Sequence, residues 1–303
     1  KTVSSKEVAL NNGILYLLIK PGPFTGLVND LWPDGKNKYQ CAYNGGIKDG
    51  SELAWHENGE KKYHSKYIDG KPDGIYTEYD SKGRLTANIE YDLGNILTEY
   101  HITRDEGGST EYHKKNGVLD GRWTRWYANG NKAEEGLYEE GKRSGTWNGW
   151  YRSNKKHYKS LYADGKRAGT YSEWNSKGKK TKEIDYSNGN RIREYLLIKD
   201  GSGYMEINKL YGKLDGPWIK WYSEGKKEEE GEYKGGMKIG TWSRFSINGA
   251  IIEEWNFDNI GRNLYEITYY DNGTVKQYRD YFSKTIQEYN VDGSLKGKKT
   301  PFN

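Results

Sequence analysis

The sequence has little of what most globular domains use to build a core. Only 33% of its 303 residues are hydrophobic, and Cys41 is its single cysteine. One cysteine excludes an intrachain disulfide and a multi-cysteine zinc site. Because Cys41 stands two residues before Tyr43 in the expected strand phase, we predict a packing position for it rather than a nucleophile.

Long apolar runs and blocks of one charge are also lacking. The longest apolar candidate spans residues 13–20, far short of the roughly 20 residues that a membrane helix needs. The 48 Lys and Arg and 43 Asp and Glu are interspersed and give a net charge of +5. Such mixing lacks the one-sided basic footprint of a nucleic-acid binder and the basic cluster that an anionic membrane attracts. We therefore expect no nucleic-acid partner and no membrane-surface attachment.

The sequence also lacks a methionine at its start, where it has Lys1. Because a cleaved secretory signal leaves no trace in a mature chain, this start favours an exported or cell-envelope bacterial protein. A trimmed cytoplasmic protein would begin in the same way, so the compartment stays open.

Glycine and aromatic residues are abundant instead, with 39 Gly, 28 Tyr and 11 Trp. Each large ring can remove roughly 150–250 Å² from water. Burial of rings therefore takes the place of an aliphatic core, and we expect a folded chain rather than the disorder that its polarity alone would suggest.

These residues recur with a period of about 24. A first glycine opens each unit, a second follows nine residues later, and an aromatic residue follows eight residues after that; Asn154 replaces the second glycine once. The landmarks are clearest in two copies: Gly121, Gly130, Tyr138 and Gly145, then Gly216, Gly225, Tyr233 and Gly240. A 95-residue shift aligns residues 121–127 with 216–222, which indicates a duplicated block of four units. In every fourth unit Thr98 or Arg193 replaces the first glycine.

Each unit predicts one β-hairpin. Dipeptides such as Asn129-Gly130 favour the positive φ angles of tight hairpin turns. Three glycines per unit argue against helices, and Val, Leu and Ile are too sparse for a two-sheet interior. We predict an all-β fold, an elongated single-layer antiparallel sheet of tandem hairpins forming a rod roughly 110 Å long. Residues 1–25 would form N-terminal cap strands, 26–293 the array of about 11–12 units, and 294–303 a C-terminal tail.

The pattern G-x-W-x-x-W-Y-x-N-G-K, followed by E and by Y-x-x-G-K-x-x-G, resembles the bacterial variant of the MORN repeat (membrane occupation and recognition nexus). Residues 121–145 and 216–240 carry it best, and the resemblance spans about residues 26–293, with the fourth units departing from it. It implies β-hairpin arrays that serve as interaction scaffolds. One bacterial branch is similar to antitoxins that neutralise a partner toxin.

Trp123 and Trp126 are three residues apart, so strand alternation places them on opposite faces unless a bulge intervenes. In one interpretation both rows of rings stack against their neighbours as core. In the other, one row forms a groove for a partner protein or a sugar chain. The candidate binding row consists of Trp126, Trp150, Trp174 and Trp221.

The repeat pattern shows no arrangement of residues that is typical of a catalytic site. Acidic pairs recur at one phase of the repeat, whereas catalytic carboxylates form a single pair in one cleft. We expect these carboxylates to pair with Lys and Arg on adjacent strands; the pairs are Glu134-Glu135, Glu229-Glu230 and Glu253-Glu254. The five histidines, among which His56 and His64 could meet across one hairpin, lack zinc-site spacing. We expect a non-enzymatic protein without catalytic residues, metal or cofactor.

The sequence therefore favours a binding or scaffold protein that presents an aromatic-rich surface to a protein partner through repeated contacts. An antitoxin or immunity protein is the special case that the resemblance implies. The alternative is a cell-wall or glycan-binding repeat protein, because choline-binding modules also combine aromatic hairpins with Asn-Gly turns. Those modules place two adjacent aromatics after the turn, whereas charged residues follow it here, as in Gly225 to Glu228.

Overall fold

The computed structural model describes residues 1–20, 22–201 and 203–302, and most of them lie in β-strands. Within these residues there is no α-helix, and one 3₁₀ turn spans Ser5–Glu7. The chain divides into two compact units, Lys1–Asn154 and Lys155–Asn303. Each unit is an open antiparallel sheet of tandem hairpins, which confirms the predicted fold class. In the described residues no helix is long and apolar enough to cross a membrane.

The first unit opens with a short strand and a separate hairpin, and continues as a meander. Its strands are β1 (Thr2–Val3), β2 (Val8–Asn11), β3 (Ile14–Leu17), β4 (Gly26–Leu31), β5 (Asn37–Asn44), β6 (Ile47–Trp55), β7 (Lys61–Ile68), β8 (Lys71–Pro72), β9 (Gly74–Tyr79), β10 (Leu85–Asp92), β11 (Asn95–Asp105), β12 (Gly108–Lys115), β13 (Val118–Tyr127), β14 (Lys132–Glu139) and β15 (Lys142–Trp150). β1 pairs with β4 in parallel, and β2 pairs with β3. From β4 onward the pairing is antiparallel and follows the chain, with β8 and β9 both on β7.

The second unit is a meander throughout. Its strands are β16 (Lys156–Ala163), β17 (Lys166–Trp174), β18 (Lys180–Ser187), β19 (Asn190–Asp200), β20 (Gly203–Leu210), β21 (Lys213–Leu214), β22 (Gly216–Trp221), β23 (Lys227–Lys234), β24 (Met237–Phe245), β25 (Ile251–Phe257), β26 (Asn263–Tyr269), β27 (Val275–Asp280), β28 (Thr285–Glu288) and β29 (Thr300–Pro301). Each strand pairs antiparallel with the next in sequence, except that β21 and β22 both pair with β20.

Tight two-residue turns join most of the strands at one end; β25 and β26 are joined there by a wider turn, in which the Gly261 N–H donates to the Asp258 carbonyl at 3.1 Å. In the tight turns both residues have positive φ, as at Glu140 (48°) and Gly141 (79°), the geometry that suits twisted hairpins. The Gly141 N–H then donates to the carbonyl of Leu119 at 2.7 Å. Gly70 makes the same bond to Lys48 at 2.8 Å. Successive turns are thereby bonded to each other.

Wider turns join the strands at the other end and contain the second glycine. Gly130 has a φ of 82°, and its N–H donates to the Tyr127 carbonyl at 2.9 Å. The predicted hairpin turn at Asn129-Gly130 is present and joins β13 to β14, but only Gly130 has a positive φ, because it is the last residue of a four-residue β-turn and the turn is not a two-residue one. Asn154, with a φ of 64°, makes the same bond to Tyr151 at 2.9 Å. This confirms that Asn154 replaces the glycine.

The irregular fourth units form two long hairpins, β11–β12 and β19–β20. Their registers run without a bulge to the closing pairs Asp105–Gly108 and Asp200–Gly203. The β11–β12 hairpin thus closes tightly where a wide turn would otherwise stand. The fourth units keep their strands but lose a wide turn.

Non-repeating segments pack at the two chain ends. In the first unit, Val3, Leu15, Phe24 and Val28 form a buried cluster in which the β2–β3 hairpin packs beside β4. In the second unit, the Phe302 ring packs edge-on against Tyr281 at 5.4 Å. Covering an outer strand in this way protects its open hydrogen-bonding edge.

Candidate functional site

The two rows of tryptophans lie on opposite faces of each sheet. In the β13–β14 register Trp123 pairs with Gly136 and Trp126 pairs with Lys132. The register shift at this point inserts its extra residue in β14, so alternation along β13 holds, as predicted. We name the two faces of each unit by the rings that they carry. The packed face carries Trp123 and Trp147 in the first unit, and Trp218 and Trp242 in the second. The open face carries Trp126 and Trp150 in the first unit, and Trp174 and Trp221 in the second.

Trp147 is the centre of the packed face in the first unit. Its side chain is 0% exposed, with the Trp123 ring 5.5 Å away and the Tyr138 ring edge-on at 5.2 Å. The indole Nε1–H donates to the Leu137 carbonyl at 3.1 Å. The Arg143 guanidinium lies 3.8 Å from the Trp147 ring centre. This ring is therefore structural core with no surface left for a partner.

The second unit builds the same cluster 95 residues later. Trp242 is 0% exposed, with Trp218 at 5.3 Å and the Tyr233 ring edge-on at 4.9 Å. Its Nε1–H donates to the Glu232 carbonyl at 3.2 Å, and Lys238 lies 3.8 Å from the ring centre. The shift that aligns the sequences therefore also aligns the packing.

Two glycines that sequence reasoning missed make room for these indoles. A Cβ on Gly136 would stand 2.2 Å from ring atoms of Trp147, and one on Gly231 would stand 2.1 Å from Trp242. Their shared position, two residues before the landmark tyrosine, was the available signal. The landmark glycines have a different role, since all have positive φ: Gly121 (98°), Gly130 (82°), Gly145 (63°), Gly216 (99°), Gly225 (81°) and Gly240 (63°).

Glu52 occupies the position of Trp147 one 95-residue block earlier. It is 6% exposed, forms an ion pair with the Lys48 Nζ at 2.5 Å and accepts a hydrogen bond from the Tyr39 hydroxyl at 2.9 Å. Cys41, at the position of Gly136, is 1% exposed, which confirms its predicted packing position. Burial raises the pKa of the Cys41 thiol, so the reactive thiolate is disfavoured.

The recurring carboxylates take part in ion pairs. Glu134 pairs with Arg143 across the strands at 3.1 Å, as predicted. Glu135 instead pairs with Lys132 of its own strand at 2.7 Å, because the extra residue in β14 brings the two side chains to one face. Glu229 pairs with Lys238 at 3.3 Å and Glu253 with Arg244 at 2.8 Å, both across strands, and Glu230 pairs with Lys227 of its own strand at 2.5 Å. Glu254 instead accepts a hydrogen bond from the Tyr269 hydroxyl.

Trp126 and Trp150 come together on the open face of the first unit. Both rings are half-buried, and the Lys132 Nζ lies 5.4 Å from one ring centre and 5.6 Å from the other. Partly exposed indoles are enriched in the hot spots of protein interfaces, and Lys132 adds a cation–π contact to both of them.

Trp174 and Trp221 lie on the open face of the second unit, with the β19–β20 hairpin between them in the sheet. Trp174 is flanked by the Nζ atoms of Lys156 at 5.3 Å and Lys180 at 6.0 Å. Trp221 stacks with Tyr204, at 6.1 Å between ring centres and 28° between planes. The four predicted binding residues are therefore all half-buried, but they do not form one continuous row of touching rings.

The second unit begins with a strongly basic stretch. Residues 155–193 contain 11 Lys and Arg but only 4 Asp and Glu. Two of these carboxylates are already paired, Glu173 with Lys182 at 3.1 Å and Glu183 with Lys180. The exposed Lys156 has no carboxylate partner among the described residues. The even charge mixing inferred from the sequence thus fails locally, because lysines of one repeat phase recur on every second strand, as with Lys156 on β16 and Lys180 on β18.

The second aromatic of the Trp-Tyr dipeptide has a role that the sequence did not reveal. The Tyr127 hydroxyl donates to the carbonyl of Trp150, in the next wide turn, at 2.9 Å. His56 stands at the same phase, and its Nε2 lies 2.9 Å from the Tyr79 carbonyl. These side chains bond consecutive wide turns. Within the described residues no three His, Cys, Asp or Glu side chains are grouped as metal ligands.

An open cavity of about 510 Å³ lies beside Trp126 on the open face. At this end of the sheet the neighbouring hairpins have wide turns, whereas β11–β12 closes with a tight turn. The cavity occupies the space that a wide turn of β11–β12 would fill. Arg84 and Arg104 line it together with Ser109 and Gly130. In the second unit a polar cavity of about 390 Å³ is lined by residues of β18, β19, β20 and β22: Glu183, Asp185, Arg193, Tyr195, Asn208 and Pro217.

Comparison with known proteins supports the repeat assignment. The family model of the MORN repeat variant matches residues 119–140 and 214–234. The resemblance to MORN repeats is thereby confirmed at these two segments, which cover the β22–β23 hairpin and all but the first residue of the β13–β14 hairpin. No curated protein matches the chain.

Solved structures of large assemblies show a distant likeness. The structure described as TcdB2-TccC3-Cdc42 is 10% identical, over 89% of this chain and 18% of that chain, with a TM-score of 0.22. TcdB2-TccC3 without its hypervariable C-terminal region is 12% identical, over 96% of this chain and 20% of that chain, with a TM-score of 0.22. The chain spans about a fifth of the length of these chains. A TM-score of this size carries no inference about fold or function.

Proposed function

We propose that the chain is a binding protein whose open faces contact a protein partner through repeated aromatic and lysine side chains. MORN repeats suggest such a repeat-based binding or scaffold role. The observation that carries the proposal is the contrast between the central ring of the packed face and the rings of the open face: Trp147 is fully buried, whereas Trp126 and Trp150 are only partly buried around Lys132. Repeated contacts of this kind give affinity without a deep pocket.

Charge indicates what the partner carries. The excess of Lys and Arg over residues 155–193 suits a partner surface rich in Asp and Glu. The partner is therefore proposed to be an acidic protein.

Capture from a lysate of the source cell tests the proposal. The baits are wild type, Trp126→Ala with Trp150→Ala, Trp174→Ala with Trp221→Ala, and the control Phe282→Ala, whose ring is 96% exposed. We expect one protein to be retained by wild type and the control but lost by at least one tryptophan pair. Equal capture by all four baits contradicts a role for the open faces. Specific binding to a glycan array without any captured protein would favour the glycan alternative.

The antitoxin or immunity role is the finer form of this proposal. In that case the partner is a toxin, held in a one-to-one complex. Co-expression with the captured protein tests this role: growth should be restored by wild type and not by the tryptophan variant that loses capture. A captured protein that is harmless when expressed alone contradicts the antitoxin role and leaves the binding role intact.

A further inference from the structure

The cavity beside Trp126 has an internal counterpart 95 residues later. In the register of the first unit Ser109 pairs with Trp126, and in the second unit Tyr204 pairs with Trp221. The same shift places Arg84 on Lys179, Arg104 on Lys199 and Gly130 on Gly225. One local structure is therefore built twice, with serine in one copy where the other has tyrosine.

In the second unit the tyrosine ring fills its site. Tyr204 stacks on Trp221 at 6.1 Å, and the Lys179 Nζ lies 4.4 Å from the Tyr204 ring centre. The Tyr204 hydroxyl reaches the wide turn, where a Cβ on Gly225 would stand 3.9 Å from it. An aromatic ring between an indole and a cation gains from stacking and from the cation–π attraction.

In the first unit Ser109 supplies no ring, and the space over Trp126 is open. The cavity of about 510 Å³ falls within the range of roughly 300–1,000 Å³ that ligand sites span. Gly130 lines it, and a Cβ there would meet nothing within 4 Å. The indole, the turn glycine and the cations are thus all present, and an aromatic ring is what this copy lacks.

The cations are held in place before anything binds. Arg84 bonds Asp80 through Nε at 2.8 Å and through its terminal nitrogen at 2.7 Å. Arg104 donates to the Leu85 carbonyl at 3.0 Å. Neither side chain needs to be ordered by the ligand, which lowers the entropic cost of binding.

We infer that this cavity receives a tyrosine side chain of the protein partner, stacked on Trp126 as Tyr204 is stacked on Trp221. The inference rests on the proposed function, because it takes the partner to be a protein. The tyrosine ring lies over the indole, its hydroxyl points to the wide turn at Gly130, and Arg84 takes the place of Lys179 at the ring face.

Two exchanges within the chain test the inference. Ser109→Tyr fills the cavity with the chain's own ring, and Tyr204→Ser opens the matching space over Trp221. The full chain is labelled with 5-fluorotryptophan, and the Trp126 and Trp221 resonances are assigned through Trp126→Phe and Trp221→Phe. N-acetyltyrosinamide is the probe, and N-acetylleucinamide is the matched aliphatic control.

We expect N-acetyltyrosinamide to shift the Trp126 resonance of wild type in a saturable manner, and N-acetylleucinamide to leave it in place. Ser109→Tyr should abolish the shift, and Tyr204→Ser should make the Trp221 resonance respond. A Trp126 resonance that ignores the tyrosine probe, or still responds to it in Ser109→Tyr, overturns the inference. Should Ser109→Tyr fail to fold, the Tyr204→Ser variant decides: a Trp221 resonance that shifts with N-acetyltyrosinamide supports the inference, and one that does not shift overturns it.

Partner capture separates this inference from the proposed function. Ser109→Tyr should weaken partner affinity about tenfold, the equivalent of one aromatic stacking contact. Undiminished capture by Ser109→Tyr, together with loss in the tryptophan pairs, overturns the cavity assignment and leaves the proposed function standing. When wild type captures no protein, the proposed function fails, and the resonance shifts still decide whether the cavity accepts a tyrosine ring.

Discussion

Gly136 lies against the face of the Trp147 indole so closely that a Cβ on Gly136 would stand 2.2 Å from the ring. The ring thus packs on backbone, and its Nε1–H bonds the carbonyl of the next residue, Leu137. Gly231 and Trp242 repeat the relationship in the second unit. With so few aliphatic residues, the fold depends on indoles seated over glycines.

Gly136→Ala should lower the free energy of unfolding by about 1–3 kcal/mol, the cost of an extra methyl group in a filled core. Gly136 has no positive φ, so the effect is steric. Urea denaturation checks it, with Gly297→Ala as the control because a Cβ there meets nothing within 4 Å. Equal midpoints for the two variants would contradict the packing argument.

Trp147→Ala should mainly impair stability, and Trp126→Ala should mainly impair partner binding. Trp147→Ala removes a fully buried ring and should lower the free energy of unfolding by about 3–5 kcal/mol. Trp126→Ala removes a half-buried ring and should lower it clearly less. Partner binding should instead be lost in Trp126→Ala. Thermal melts and capture assays on both variants check this, and a larger stability loss in Trp126→Ala would reverse the assignment of the faces.

Tyr127→Phe should lower stability by about 0.5–1.5 kcal/mol, because it removes the hydroxyl that bonds the Trp150 carbonyl. Tyr222→Phe should do the same through the Phe245 carbonyl. Tyr211→Phe is the matched control, since its ring is 72% exposed. Denaturation midpoints that coincide for all three variants would show that the hydroxyls do not bond the turns.

The turn formed by Asp80 and Arg84 should weaken in acid. Hydrogen bonds from the Arg84 side chain and backbone lower the pKa of Asp80 from 3.8 to about 2. Because folding lowers this pKa, the contribution is present above pH 3.8 and is lost as the pH falls through about 2. The difference in Tm between wild type and Asp80→Asn should therefore shrink over that window. A difference that stays constant with pH would contradict the assignment.

Reversing charge at Lys156 and Lys159 should weaken partner binding and reduce its dependence on salt, since fewer ion pairs then cross the interface. The matched control reverses Lys61 and Lys62, which are equally exposed but lie in the first unit, outside the basic stretch. Affinity for the captured partner at two salt concentrations checks the prediction. Equal losses in both variants would indicate a general charge effect.

The period predicted the strands, the turns and the two faces, because a landmark at constant spacing in a β-sheet recurs at the same place on each hairpin. It did not predict which turn is tight. Asn129 and Gly130 resemble a two-residue turn in sequence, yet the tight turn falls at Glu140 and Gly141, whose pairing depends on strand register.

The candidate site was predicted only in part for a similar reason. The four open-face tryptophans follow from spacing, but the gap over Trp126 depends on the tight closure of β11–β12 and on Ser109 standing opposite the indole. The ion pair of Glu135 with Lys132 depends on an extra residue in β14. Such features arise from pairing between strands, which a single sequence does not display.

The strand order within each unit has a mechanical consequence. Because pairing follows the chain, a pulling force on the terminus of a unit loads the outermost hairpin first, and its bonds break one after another. In the first unit the terminal strand β1 pairs in parallel with β4, outside this order. In the described residues of the second unit the terminal strand β29 pairs only with β28, the strand before it. Under tension the second unit should therefore unzip hairpin by hairpin at low force and extend gradually.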